Sequence, residues 1–258
     1  MSSYVSNFMK YKNLLNELIV RDIKVKYKRS ILGILWTLLN PLLSMFVLTI
    51  VFSNLFRYDI ENFPVYLITG QIMFNFFAES TSMAMGSILG NASLIKKVYI
   101  PKYIFPLSRV LSSFVNLLFA LISVIIIMIF MKVKITVSIL FVPIAFMYIL
   151  IFSIGMGLLL SSLNVFFRDI QHLYGVVLTA WTYLTPIFYP VEIIPEQFKW
   201  LIEINPIYYM ISYFRECVLY GNIPSLQLNI ICMIACLISI IAGLLAFYKN
   251  QDKFILYI

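Results

Sequence analysis

The run Arg21-Asp22-Ile23-Lys24-Val25-Lys26-Tyr27-Lys28-Arg29-Ser30-Ile31-Leu32-Gly33-Ile34-Leu35-Trp36 decides how the rest of the chain is read. Basic side chains crowd its first half, and its second half opens an apolar stretch that continues through Asn40-Pro41 to Phe56. That stretch is long enough to cross a hydrocarbon core of about 30 Å. Lys and Arg collect on the cytoplasmic flanks of spanning helices, so the junction predicts a cytosolic N-terminus and fixes the orientation of every later span.

Composition points the same way. The chain is 62% hydrophobic and 12% charged, where a soluble domain carries roughly 25% charge, and this predicts an integral membrane protein. A net charge of +8 would suit nucleic acid only if the basic residues shared one solvated face. They lie instead between apolar runs, so no nucleic-acid partner is expected. Cys232 and Cys236 stand one helical turn apart in an apolar run and Cys217 stands alone, a pattern of packing residues rather than a disulfide or metal framework. Residues 1–30 lack the apolar core and small-residue cleavage site of a secretory leader, so the first span is expected to stay.

Residues 4–28 read as an amphipathic helix. Phe8, Tyr11, Leu14, Leu15, Leu18, Ile19 and Val25 share one arc, and Lys10, Asn13, Asn16, Glu17, Arg21, Lys24 and Lys28 share the other, with Asp22 and Lys26 interrupting the apolar side. Such a basic helix beside a first span is expected to lie in the cytoplasmic headgroup layer. Further apolar runs at 63–89, 110–131, 139–163, 173–189 and 228–248 are each near the roughly 20 residues that a span needs. The predicted fold is therefore all-α and membrane-integral: a cytoplasmic interfacial helix over 1–30, then one six-span domain over 31–258.

Alternate intervals test that topology. The proposed cytoplasmic set holds Lys10, Lys12, Arg21, Lys24, Lys26, Lys28, Arg29, Lys96, Lys97, Lys102, Arg109, Arg168, Lys249 and Lys253; the opposite set holds only Arg57, Lys132, Lys134, Lys199 and Arg215. This asymmetry predicts cytoplasmic termini, with Lys132 and Lys134 as its exceptions. The loop 91–109 mixes cations, aromatics and two prolines, and room remains for a short helix ending before Pro101. Residues 207–219, within the external interval 190–227, are apolar but too short to cross and read as a re-entrant or interfacial helix.

At this point a resemblance emerges. Arg21-Asp22, Tyr27, Ser30, Leu32-Gly33, Trp36 and Pro41 look like the start of the ABC-2 type permease subunits that export lipid-linked polysaccharides, such as O-antigen or teichoic acid. Asn164-Val165-Phe166-Phe167-Arg168-Asp169-Ile170, Pro186-Ile187-Phe188-Tyr189, Pro195 and Asn205-Pro206 are similar to later parts of the same family, in the same order. The resemblance implies a homodimer in the bacterial inner membrane with two copies of a cytosolic ABC ATPase subunit. It also implies an undecaprenyl-diphosphate-linked glycan as substrate, a coupling helix over 94–107, and external gate helices over 192–202 and 207–218.

Residue by residue, the chain contains no Gly-x4-Gly-Lys-Ser/Thr motif, so ATP and its magnesium are expected in the partner and no cofactor in this chain. Leu94, Lys96, Lys97, Tyr99, Lys102 and Tyr103 are the residues expected to grip the ATPase, although the lysines would equally set orientation and bind anionic membrane lipid. Arg21, Asp22, Arg168 and Asp169 are placed at the cytoplasmic mouth, with Arg21 or Asp22 as partners for the second pair. Glu79 is the one acid deep within a predicted span, and Gln71, Asn75 and Glu79 stack at four-residue steps, either along a substrate path or as glue between helices. Trp181, Tyr183, Phe188 and Tyr189 close the fifth span, where they could stack on sugar rings or simply form a headgroup-level aromatic belt. Pro195, Asn205, Pro206, Tyr208 and Tyr209 fall in the gate. His172 reads as structural, because a lone histidine does not assemble a metal site.

The leading expectation is thus the membrane subunit of an ATP-driven polysaccharide exporter. An ABC-2 exporter of another lipid or amphiphile is the runner-up. A membrane glycosyl- or acyltransferase is disfavoured, because the 11 acids include no pair with acid–base or metal-ligand spacing.

Overall fold

The computed structural model describes residues 2–28, 30–52 and 60–258, with side chains from Lys10 onward. Phe8, Arg29, the predicted end of the first span at Phe56, Arg57 and Asp59 lie outside the described side chains. In chain order the helices are α1 (Ser2–Tyr27), α2 (Leu35–Val51), α3 (Phe63–Met85), α4 (Ser87–Gly90), α5 (Ala92–Lys97), α6 (Ile104–Phe130), α7 (Val142–Phe166), α8 (Ile170–Leu184), α9 (Lys199–Glu203), α10 (Pro206–Arg215), α11 (Leu226–Asn250) and α12 (Phe254–Tyr257). Among the described residues there is no strand.

The junction that opens the chain folds into a tight turn. Tyr27 O accepts from Ser30 N, Ser30 Oγ accepts from Gly33 N, and Gly33 takes a φ of +50° that favours glycine. This turn separates α1 from α2, so the amphipathic helix and the first apolar helix point in different directions. Among the described residues, three stretches are long and apolar enough to cross a membrane: Ile104–Phe130, Val137–Phe166 and Leu226–Tyr257. α2 and α8, at 17 and 15 residues, are shorter. At 1.5 Å per residue α8 reaches about 22 Å, and the predicted helical run 173–189 is corrected accordingly: it ends at Leu184 and continues as irregular backbone.

α3 is the axis of the molecule. Side chains on all its sides are buried, Val65, Leu67, Ile68, Met73 and Phe77 among them, because α2, α6, α7, α8 and α10 surround it. Its hydroxyls are satisfied within the helix: Thr69 donates to Val65 O, Ser80 and Thr81 to Phe77 O. α7 and α11 form the closest pair. A Cβ on Gly155 would meet Ser239 at 2.3 Å and one on Gly243 would meet the Gly155 carbonyl at 2.2 Å, so these backbones touch because glycine allows it. Ser239 Oγ donates across the same contact to Phe152 O at 2.8 Å.

A second core gathers at the basic end of the bundle. Leu15 and Leu18 of α1 meet Ile95 of α5, Ile100, Ile104, Phe105, Val165, Phe247 and Phe254. Both terminal segments therefore sit at the same end as the loop 91–109. The apolar arc of α1 is largely as its periodicity predicts, with two exceptions. Val25 is 67% exposed, and Asp22, which interrupts the arc in sequence, is buried on the packing face.

Candidate functional site

A wide opening lies between the end of α1 and helices α2, α3 and α6. It is a cavity of about 700 Å³ lined by Lys26, Trp36, Asn40, Asn75, Glu79 and Asn116, among others. Its charged feature is an ion pair, Lys26 Nζ to Glu79 Oε1 at 2.6 Å, with both side chains partly exposed. Glu79 lies six residues before the end of α3, and the last turn of α1 reaches it there, in a cavity that also takes in Asn116, Leu117 and Ala120 from the middle of α6. Tyr27 Oη donates to Asn116 Oδ1 at 3.3 Å. Burial pushes the Tyr27 phenol above its ordinary value, the charge on Lys26 pulls it down and that on Glu79 pushes it up, so it remains a donor. The predicted polar stripe divides: Asn75 and Glu79 line the cavity, whereas Gln71 does not, and its Oε1 is buried without a hydrogen-bond partner.

An apolar groove of about 470 Å³ adjoins this cavity. Leu32, Ile34, Leu35, Leu38, Phe119 and Ile122 line it, and it shares Tyr27 and Thr37 with the cavity. A cavity of mixed lining, which holds the charged and amide groups, and an apolar groove meet across two residues.

Asp22 is the hinge pin of α1. Arg109 Nη1 of α6 approaches its Oδ1 at 2.9 Å and Arg21 Nη2 the same oxygen at 3.2 Å. The expected partnership with Arg168 and Asp169 is corrected: among the described residues neither is in an ion pair, and both are exposed at the turn before α8. The residue of that motif that bonds across to another helix is Asn164. Fully buried, it donates from Nδ2 to the Met85 carbonyl at 3.0 Å and so ties the end of α7 to the end of α3. Phe166 packs against the rings of Phe254 and Tyr257.

The residues expected to grip a partner also divide. Lys96 and Lys97 are exposed and Tyr99 is 91% exposed. Leu94 and Tyr103 pack on the chain's own basic-end core, and burial raises the Tyr103 phenol above its ordinary value. Lys102 Nζ donates to the Gln251 carbonyl at 2.7 Å, so it fastens the loop to the end of α11 rather than reaching outward. The short helix expected before Pro101 is α5.

At the opposite end, the irregular backbone after α8 is held by a residue that sequence reasoning counted only as a loop cation. Arg215 is buried, donates to the carbonyls of Tyr66, Pro186 and Ile187 at 2.9–3.3 Å, and lies 3.4 Å from the centre of the Tyr66 ring. Tyr66 Oη adds donations shared between Pro186 O and Tyr189 O. Asn205 knots the same region. Its Oδ1 accepts from Trp181 Nε1 at 2.9 Å and from Ile207 N at 3.1 Å, and its Nδ2 donates to Thr185 Oγ1 at 2.8 Å. Trp181 is therefore a half-buried tether against Phe77, not an open platform. Phe188 stacks on Phe52, Tyr183 is exposed, and Tyr189 donates to the Tyr183 carbonyl. The gate predicted over 192–202 is broken into short turns capped by α9, with Pro195 at the start of one of them. The segment predicted as the second gate helix, 207–218, is α10 extended by a π-type turn over Glu216–Tyr220. Tyr208 and Tyr209 contact each other edge to face, and Tyr209 donates to the Glu203 carbonyl. Pro206 starts α10, where its missing N–H costs nothing.

A helical bundle with long apolar helices, a basic loop at one end and a hydrogen-bonded helix break at the other is the architecture of an integral membrane protein. A sequence profile of the ABC-2 type transporter family matches residues 13–219, and the chain belongs to that family. It is 32% identical over 235 residues, 91% of its length and 90% of the relative's, to the O-antigen export system permease protein RfbA of Klebsiella pneumoniae. It is 28% identical, over 86% of each chain, to the RfbA protein of Myxococcus xanthus. It is 25% identical to the polysialic acid transport protein KpsM of Escherichia coli, over 96% of this chain and 97% of that one.

Proposed function

We propose that this chain is the membrane-spanning subunit of an ATP-driven exporter that moves a lipid-linked polysaccharide out of the bacterial cytoplasm. The observation that carries the reading is the paired site at the basic end. An amphiphile with a charged, hydroxyl-rich head and a prenyl tail needs a compartment with charged and hydrogen-bonding groups beside an apolar one, and the mixed Lys26–Glu79 cavity and the apolar Leu32–Ile122 groove fit that need. Asn40, Asn75 and Asn116 offer donors and acceptors to sugar hydroxyls or a diphosphate, and Lys26 offers positive charge once released from Glu79. The family and the permease names of the relatives support the same reading.

In its finer form the proposal is a six-span subunit in the inner membrane, with both termini cytoplasmic. It works as a homodimer with two ATPase copies that dock on the loop 91–109. Closure of the ATPases would push α5 and, through the shared core, the ends of α1, α6 and α11. Arg21, Asp22, Arg168 and Asp169 would flank the substrate's approach, and Pro195, Asn205 and the α10 segment would form the outer gate.

Depletion of the protein tests the reading. A lipid-linked glycan should then build up on the inner face of the membrane. Glu79→Gln and Asn75→Leu chains should insert normally yet slow export. Normal surface glycan after depletion would overturn the proposal.

A further inference from the structure

The chain's last turns carry an exposed apolar surface that the proposed docking loop does not account for. Leu226–Tyr257 is a 32-residue helical stretch, about 48 Å long at 1.5 Å per residue, whereas a hydrocarbon core is about 30 Å thick and about 45 Å with headgroups. Exposed Lys249, Asp252 and Lys253 precede its final residues, and charges of that kind place these turns at the headgroup layer or beyond rather than in hydrocarbon. Ile255 and Tyr257 are exposed there, and Leu256 is 80% exposed.

This tip is rigidly built. Phe254 is fully buried among Ile95, Ile100, Ile104 and Phe105, its ring 5.3 Å from that of Phe247, while the Tyr257 ring lies 4.8 Å from that of Phe166. Lys102 Nζ pins the Gln251 carbonyl to the loop. The loop's own outward residues, Val98 and Tyr99, are exposed at the same end, and the exposed charges that flank them and the tail in the chain are Lys96, Lys97, Lys249 and Lys253 against one acid, Asp252. An apolar patch on an anchored element, beside a docking loop and flanked mainly by cations, fits a protein partner with an apolar cleft and carboxylate rim.

We propose that residues 251–258 form, with Val98 and Tyr99, one continuous docking surface for the ABC ATPase subunit. The inference rests on the reading of the loop as the ATPase contact and extends it to the tail. Force from the ATPase then reaches α11 directly, and through the Gly155–Gly243 contact reaches α7, without passing through the loop alone.

The test uses the full chain expressed with its ATPase and a photo-cross-linking amino acid placed in turn at 99, 256 and, as a control at the opposite end, 130. Cross-links to the ATPase are expected from 99 and 256 and none from 130. A link from 99 with none from 256, or with 256 linked only to phospholipid, overturns the tail proposal and leaves the loop reading standing. Links from neither position overturn both. As a second measurement, Leu256→Glu should weaken binding of the purified ATPase to the detergent-solubilised permease at least about tenfold, a change of 1.4 kcal/mol, with no loss of thermal stability. Unchanged affinity would count against the tail.

Discussion

Asp22 and Glu79 show how a single charge acquires meaning from its partner. In the sequence Asp22 looks like a flaw in an amphipathic arc, since a buried carboxylate is costly unless paired. Arg109 lies 87 positions away, so no local pattern joins them, and only the fold brings them to 2.9 Å. Removing one member of such a buried pair typically costs about 3–5 kcal/mol. Asp22→Ala should therefore free α1 from α6, seen as rapid proteolysis within residues 10–28 while the remaining bundle stays intact; Arg109→Ala should do the same. The Lys26–Glu79 pair is half-exposed and should contribute at most about 1 kcal/mol. Glu79→Gln is thus expected to leave the melting temperature almost unchanged while lowering export, whereas a large fall in stability would recast Glu79 as structural glue. The sequence marked Glu79 as special but gave no sign of its partner, because Lys26 comes from α1 and not from another span.

Among the elements, the helices of the bundle were legible from hydropathy, and the break after α8 was not. Nothing in 173–189 interrupts the apolar run before Pro186, so a single helix is the natural expectation. The helix stops early because Tyr66 and Arg215 supply hydrogen bonds that irregular backbone at membrane depth requires. Arg215→Ala leaves the Ile187 carbonyl without its donor and the Pro186 carbonyl with Tyr66 Oη alone, at about 1–3 kcal/mol for the orphaned group. The expected result is a clear loss of thermal stability in detergent that Arg215→Lys restores only in part, since lysine lacks the planar fork that bridges several carbonyls. The α7–α11 pair gives a second prediction at this scale. Gly243→Leu has to push a side chain into the Gly155 carbonyl, so yield of folded protein should collapse, while Gly175→Leu, with nothing within 4 Å of its Cβ position, should be tolerated. Size-exclusion profiles of the two variants decide it. Glycine positions alone did not reveal that contact, because the partner glycine sits on another helix.

For the molecule as a whole, the distribution of Lys and Arg foretold that the termini and the loop 91–109 share one end, and the common core of Leu15, Ile95 and Phe254 agrees with that placement. Its exceptions, Lys132 and Lys134, line a cavity with Glu61 at the far end, so acidic company offsets their position there. Single-cysteine chains test the sidedness. Lys134→Cys should react with a membrane-impermeant thiol reagent in intact cells, and Lys10→Cys and Lys253→Cys only after the membrane is opened. The native cysteines are buried and should contribute little background.

The central placement of α3 also bears on biogenesis. A segment carrying Gln71, Asn75, Glu79 and several hydroxyls, and absent from the stretches apolar enough to span alone, has little reason to leave the translocon for lipid unaided. It should linger there until α6 and α7 have been synthesised and can wrap it. Nascent chains arrested before α7 should thus remain at the insertion machinery and be handed to quality-control proteases, whereas chains arrested after it should be released.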